Sequence, residues 1–143
     1  MTDLNEYIAQ LSAQGYHCSQ IMMQLSLALR QQEDPLLIRS LGGLGGGMFR
    51  GKTCGTLTGA TCVLASYVPR AQGEPEPELY KEMVGELVDW FEAEQVSLEC
   101  CDLVEQDGIS KANFCPGLMA QTFEKVIEIL ESHGIDPQTP LEG

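Results

Sequence analysis

The chain has no C-x-x-C. Its six cysteines stand at 18, 54, 62, 100, 101 and 115, a spacing that offers no thioredoxin-type motif, zinc ribbon or ferredoxin-type cluster run. They are also too few for a disulfide-framework miniprotein. Positive charge is scarce: 8 Lys and Arg face 21 Asp and Glu, leaving a net charge of −13. Such a chain repels nucleic acid and anionic lipid, and no basic stripe offsets that repulsion. No apolar run approaches the roughly 18–20 residues that cross a bilayer, so membrane insertion is not expected. Met1-Thr2-Asp3-Leu4-Asn5-Glu6 lacks the basic and apolar regions of a secretory signal. The expectation is a cytoplasmic protein. Period-2 strand patterning is missing as well.

What is present is helical periodicity broken by glycine and proline. Leu4, Ile8 and Leu11 mark a short amphipathic segment ending near Gly15. Cys18, Ile21, Met22, Leu25, Ala28 and Leu29 form a 3.6-period stripe, with Cys18 on it. Pro35 opens a short stretch to Leu41, and residues 42–51 read as a flexible glycine-rich loop. A helix is expected from Cys54 to about Tyr67, stopped by Pro69. An acidic linker near 71–77 precedes a helix starting at about Pro77, lined by Tyr80, Met83, Val84, Leu87, Trp90 and Phe91. Ser97 caps a short helix reaching about Gln106, and Cys115-Pro116 opens the last one. His133-Gly134-Ile135 with Pro137 stops it, leaving a tail from about 135. The expected fold is an all-α, compact single-domain bundle of about five to six helices over residues 1–143, with a glycine-rich loop.

Four cysteines fall at expected helix starts: Cys18 after Gly15, Cys54 after a Thr53 cap, Cys100 past Ser97, and Cys115 before Pro116. Helix N-termini carry unpaired N–H groups and partial positive charge, which favour the reactive, metal-ligating thiolate. Lys52 and Arg50 add charge beside Cys54, and the thiol pKa is expected to fall. Cys62 lies eight residues beyond Cys54, roughly 12 Å along one helix axis. That is too far for a disulfide, and Cys62 reads as a small buried residue. Adjacent helical side chains diverge by about 100°, so one of Cys100 and Cys101 faces the site, and Cys100 is favoured. Met22, Met23, Met83 and Met119 read as core filler. His17 reads as solvent-facing, and His133 as a partner of the last helix's C-terminus.

Gly15-Tyr16-His17-Cys18-Ser19-Gln20, Gly45-Gly46-Gly47-Met48, Cys54-Gly55-Thr56-Leu57-Thr58-Gly59, Ser97-Leu98-Glu99-Cys100 and Cys115 follow in order along nearly the whole chain. Together they resemble a family named for its C-GCAxxG-C-C cysteine pattern, whose members are small four-cysteine proteins inferred to be redox-active. The resemblance implies Cys18, Cys54, Cys100 and Cys115 as the family cysteines and Gly55 and Gly59 as the motif glycines. This chain departs from the pattern in reading Cys54-Gly55-Thr56 where the name spells Gly-Cys-Ala, and in its extra Cys62 and Cys101. Thr56 for alanine reads as a packing variation.

Gly46 to Thr53 also matches G-x-x-x-x-G-K-[ST], the phosphate-cradling loop in which Lys52 would reach a terminal phosphate. No buried strand is expected before it, so nucleotide binding is a minor alternative. Two main functions remain open. One is a cysteine-based redox protein, performing thiol–disulfide exchange or electron transfer with a partner protein or small thiol or disulfide. There Cys54 attacks and Cys18 or Cys115 resolves, or all four cysteines bind zinc or an iron–sulfur cluster. The other is a non-catalytic adaptor domain with core cysteines and an acidic docking surface. A homodimer fits either.

Overall fold

In the computed structural model, which describes residues 4–70, 72–104 and 111–140, two helices form the centre. They are α2 (Cys18–Leu29) and α4 (Gly55–Ser66). The remaining helices are α1 (Leu4–Ala13), α3 (Pro35–Leu41), α5 (Glu78–Glu94), α6 (Cys100–Val104) and α7 (Lys111–Ser132). The fold is all-α, with seven helices among the described residues rather than five or six. Its one β feature there is an isolated antiparallel bridge between Thr53 and Glu99.

The apolar stripes explain the packing. Ile8 and Leu11 of α1, Ile21, Met22 and Leu25 of α2, and Met83, Leu87 and Phe91 of α5 are buried together with Phe123, Val126 and Leu130 of α7. All belong to one core, and α4 touches α2, α5 and α7 within it. Burying side chains of this size contributes about 1.5–3 kcal/mol each. Met22, Met23, Met83 and Met119 are core residues, Met23 although it stands off the α2 stripe.

α2 and α4 run parallel, because their starts meet and their ends meet. At the start, a Cβ on Gly55 would lie 2.6 Å from Cys18 Sγ, and one on Gly59 would lie 2.8 Å from the Ser19 carbonyl oxygen and 2.9 Å from Ser19 Cα. Only glycine allows so close an approach of the two backbones. At the far end, Arg30 donates from Nη1 to Ser66 Oγ at 3.2 Å and from Nη2 to the Ser66 carbonyl at 3.4 Å. Ser26 Oγ and Tyr67 Oη lie 2.9 Å apart.

Two helix ends differ from the sequence expectation. α7 begins at Lys111, so Cys115 and Pro116 lie inside it rather than opening it. Pro116 is the sixth residue of the helix and has no N–H to donate to the carbonyl four residues back, so the ladder lacks one bond there. α6 begins at Cys100, with Ser97 Oγ accepting from the Glu99 amide at 2.9 Å just before it. Its expected end near Gln106 lies outside the described residues, as does Ala71 at the start of the acidic linker. The last helix stops where expected. Ile135 N–H returns to the Leu130 carbonyl at 2.9 Å, and the tail packs back, with Pro137 accepting from Tyr67 Oη at 2.6 Å.

Candidate thiol site

The segment read as a flexible glycine loop folds into two turns. The first, Gly42–Leu44, is a 3-10 turn. The second, Gly47–Gly51, is closed by Lys52 N–H to the Gly47 carbonyl at 3.1 Å. Gly46, Gly47, Met48 and Phe49 have φ of 58°, 62°, 59° and 58°, a run of left-handed residues. The two glycines adopt this without penalty, but Met48 and Phe49 each cost roughly 1–2 kcal/mol. No sequence signal marks those two positions.

Residues 52–54 then run beside 98–100. Cys54 N–H donates to the Leu98 carbonyl at 2.7 Å and Cys100 N–H to the Lys52 carbonyl at 2.6 Å, on either side of the Thr53–Glu99 bridge. Side chains alternate along such paired strands, so Cys54 and Cys100 share one face as diagonal neighbours. Both are buried, at 5% and 8% exposure. Cys101 is exposed, its Cβ resting on Gly51. Cys100 is therefore the inward member of the vicinal pair, the one favoured in the sequence, and pairing with residues 52–54 places it there.

Cys54 is itself the N-cap of α4, a position that had been expected for Thr53. The bridge to Glu99 holds Thr53 in extended backbone and moves the helix start one residue on. Burial pushes the Cys54 thiol up, against the expected fall. The Leu57 amide, then the Thr56 amide and hydroxyl, favour the thiolate, whereas charge on Cys18 opposes it. Burial wins because the sulfur has left water, while the amides lie near it without forming a capping hydrogen bond. Lys52 and Arg50 are exposed, and Arg50 Nη1 donates to the Phe49 carbonyl at 3.0 Å. Neither produces the depression expected of it.

Thr56 was read as packing variation, yet its hydroxyl is buried without a hydrogen-bond partner and lies toward the Cys54 sulfur. Cys18, half-buried, opens α2 as expected, and Gln20 Oε1 accepts from the His17 amide at 2.9 Å beside it. His17 is solvent-exposed, and its ring meets Phe49 edge-on at 5.1 Å. His133 pairs with Glu86 of α5 at 3.0 Å, where a contact with its own helix end had been expected.

The structure thus brings Cys18 and Cys54 together at the starts of two parallel helices, with Cys100 joined to Cys54 through backbone pairing. Cys115 is half-buried in α7 and packs on the core, as does Cys62 in α4. The Cys62 thiol is also pushed up by burial. Gly55 and Gly59 form the α2–α4 contact. Among the described residues, no three His, Cys, Asp or Glu side chains gather as a metal ion would require. No strand leads into the Gly46–Thr53 segment among the described residues, so the sheet on which a phosphate-cradling loop depends is missing there. No helix among them is long and apolar enough to cross a membrane.

Residues 16–129 match the family described as "Putative redox-active protein (C_GCAxxG_C_C)". The chain belongs to the C_GCAxxG_C_C family, a redox-active class by that description. Comparison with curated proteins and with solved structures gave no match.

Proposed function

We propose that this is a cytoplasmic dithiol redox protein that exchanges electrons with a disulfide through Cys18 and Cys54. The observation that supports this reading is the apposition of the two thiols at the N-termini of α2 and α4, with Cys18 Sγ seated on Gly55. Their roles follow from access. Cys18, half-buried, attacks a partner disulfide; its S–S bond breaks, a mixed disulfide forms on Cys18, and one thiolate leaves. Cys54, buried and held protonated, then loses its proton and attacks Cys18 Sγ, expelling the second thiolate. Two electrons pass from the protein to the partner disulfide, which becomes two thiols, while Cys18 and Cys54 become a disulfide. This order reverses the sequence expectation, because burial removes Cys54 from solvent.

A second reading rests on Cys54 and Cys100 sharing one buried face. A zinc ion or iron–sulfur cluster held by Cys18, Cys54, Cys100 and Cys115 would supply Lewis acidity or one-electron transfer, and would require these thiols to move together, since no three such groups gather among the described residues. Protein purified without air should be assayed for iron, sulfide and zinc, and its thiols counted before and after mild oxidant. The dithiol reading expects reversible loss of two thiols, abolished in Cys18→Ser and in Cys54→Ser. Near-stoichiometric metal that disappears in Cys54→Ser would favour the cluster. Inert thiols without metal would leave an adaptor domain.

A further inference from the structure

Resting on the dithiol reading, we infer that the site selects small anionic disulfides bearing an apolar or aromatic group, recognised by Arg50, Lys52, Met48 and Phe49. The turn carrying these residues stands beside the attacking thiol. Phe49 lies edge-on to His17, and His17 directly precedes Cys18. Met48 and Phe49 are 48% and 56% exposed, large apolar side chains turned to water rather than to the core. Both are held in left-handed backbone, which costs energy and persists only where the surroundings impose it. Gly47 accounts for the constraint, since a Cβ there would lie 2.4 Å from the Lys52 backbone.

Charge gives the same answer. Arg50 and Lys52 have no carboxylate within ion-pair distance among the described residues, as is true also of the exposed Arg39 and Arg70; what sets Arg50 and Lys52 apart is their place on the turn before Cys54. In a chain of net charge −13, Arg50 and Lys52 supply the positive charge on the rim of the thiol site, set against Glu99 opposite Thr53 and Asp102 beside Cys101. Exposed apolar surface on the same turn suits the body of a ligand whose carboxylates reach the cations. The electron balance is that of the dithiol exchange: the anionic disulfide receives two electrons and leaves as two thiols.

The test is oxidation of the reduced protein by two disulfides of opposite charge. One is the dianionic aromatic disulfide of thionitrobenzoate, the other the dicationic cystamine. Each rate is divided by that of free cysteine with the same probe, which removes intrinsic leaving-group differences. The normalised rate should favour the anionic probe by about tenfold or more at low salt, and the preference should shrink as salt rises. Arg50→Glu with Lys52→Glu should reverse it, and Phe49→Ala should lower the rate with the aromatic probe. Because both charged side chains are exposed, the milder Arg50→Gln with Lys52→Gln provides a check if charge reversal impairs folding. Equal normalised rates, a cationic preference, or an anionic preference that survives neutralisation would overturn the selectivity while the dithiol reading stands. Failure of every probe to link Cys18 to Cys54 would overturn the dithiol reading itself.

Discussion

The two ends of the α2–α4 pair solve the same electrostatic problem differently. Parallel helices align their dipoles, which puts partial positive charge at one end and partial negative charge at the other. At the C-terminal end, Arg30 is a permanent cation, 4% exposed, donating to Ser66 and stacked over the Tyr67 ring at 3.3 Å. At the N-terminal end stand two thiols, neutral when protonated and anionic when not. One end is compensated permanently; the other is compensated only when a thiolate forms. Helix ends alone do not make a thiol reactive. Burial holds Cys54 protonated until exchange calls on it, and two helix starts then favour the anion.

The largest effect should come from breaking the thiol end. Cys54→Ser should abolish reversible oxidation of two thiols, whereas Cys62→Ser, on the same helix two turns away, should leave it intact. Thiol counting before and after mild oxidant distinguishes them. Next comes the seam: Gly59→Val places side-chain atoms against the Ser19 backbone, which cannot swing away. Denaturant melts should show a loss of about 3 kcal/mol. Gly85→Ala in α5, where nothing lies within 4 Å of an added Cβ, should instead gain about 0.5–1 kcal/mol.

At the fixed end, Arg30→Met should cost about 2 kcal/mol by removing charged hydrogen bonds to Ser66, without changing the thiol count. The smallest effect is in pH. The folded Cys54 thiol titrates above the ordinary 9.0 because it is buried. The neutral form is favoured by the fold, so its contribution is complete below the unfolded value and lost as pH rises through the folded one. Wild type should therefore lose more stability than Cys54→Ala as pH rises above the ordinary thiol value of 9.0. Cys62→Ala should also reduce the loss, since that thiol is raised for the same reason.

Much of the frame was legible in the sequence. The stripes of α2 and α5 and the proline and glycine stops rest on local periodicity, which the chain carries within a few residues. At the candidate site, the placing of Cys18 and Cys54 at two helix starts was legible, but the chemistry there was not. Cys54 becomes the N-cap only because residues 98–100 pair with 52–54, a contact between distant segments. The rise in its pKa depends on how much water the whole core excludes. The left-handed backbone at Met48 and Phe49 is imposed by Gly47 closing on Lys52, and neither residue type signals it. Thr56 reads as a packing variation because its hydroxyl gains a role only once Cys54 is buried at the start of α4.

The most direct measurement is disulfide mapping of the protein after stoichiometric mild oxidation, by proteolysis and mass spectrometry without reduction. One linked peptide pair joining Cys18 to Cys54 is expected, lost again on reduction. A linkage that joins either cysteine to a different one, or full oxidation with Cys18 and Cys54 both still alkylatable, would contradict it.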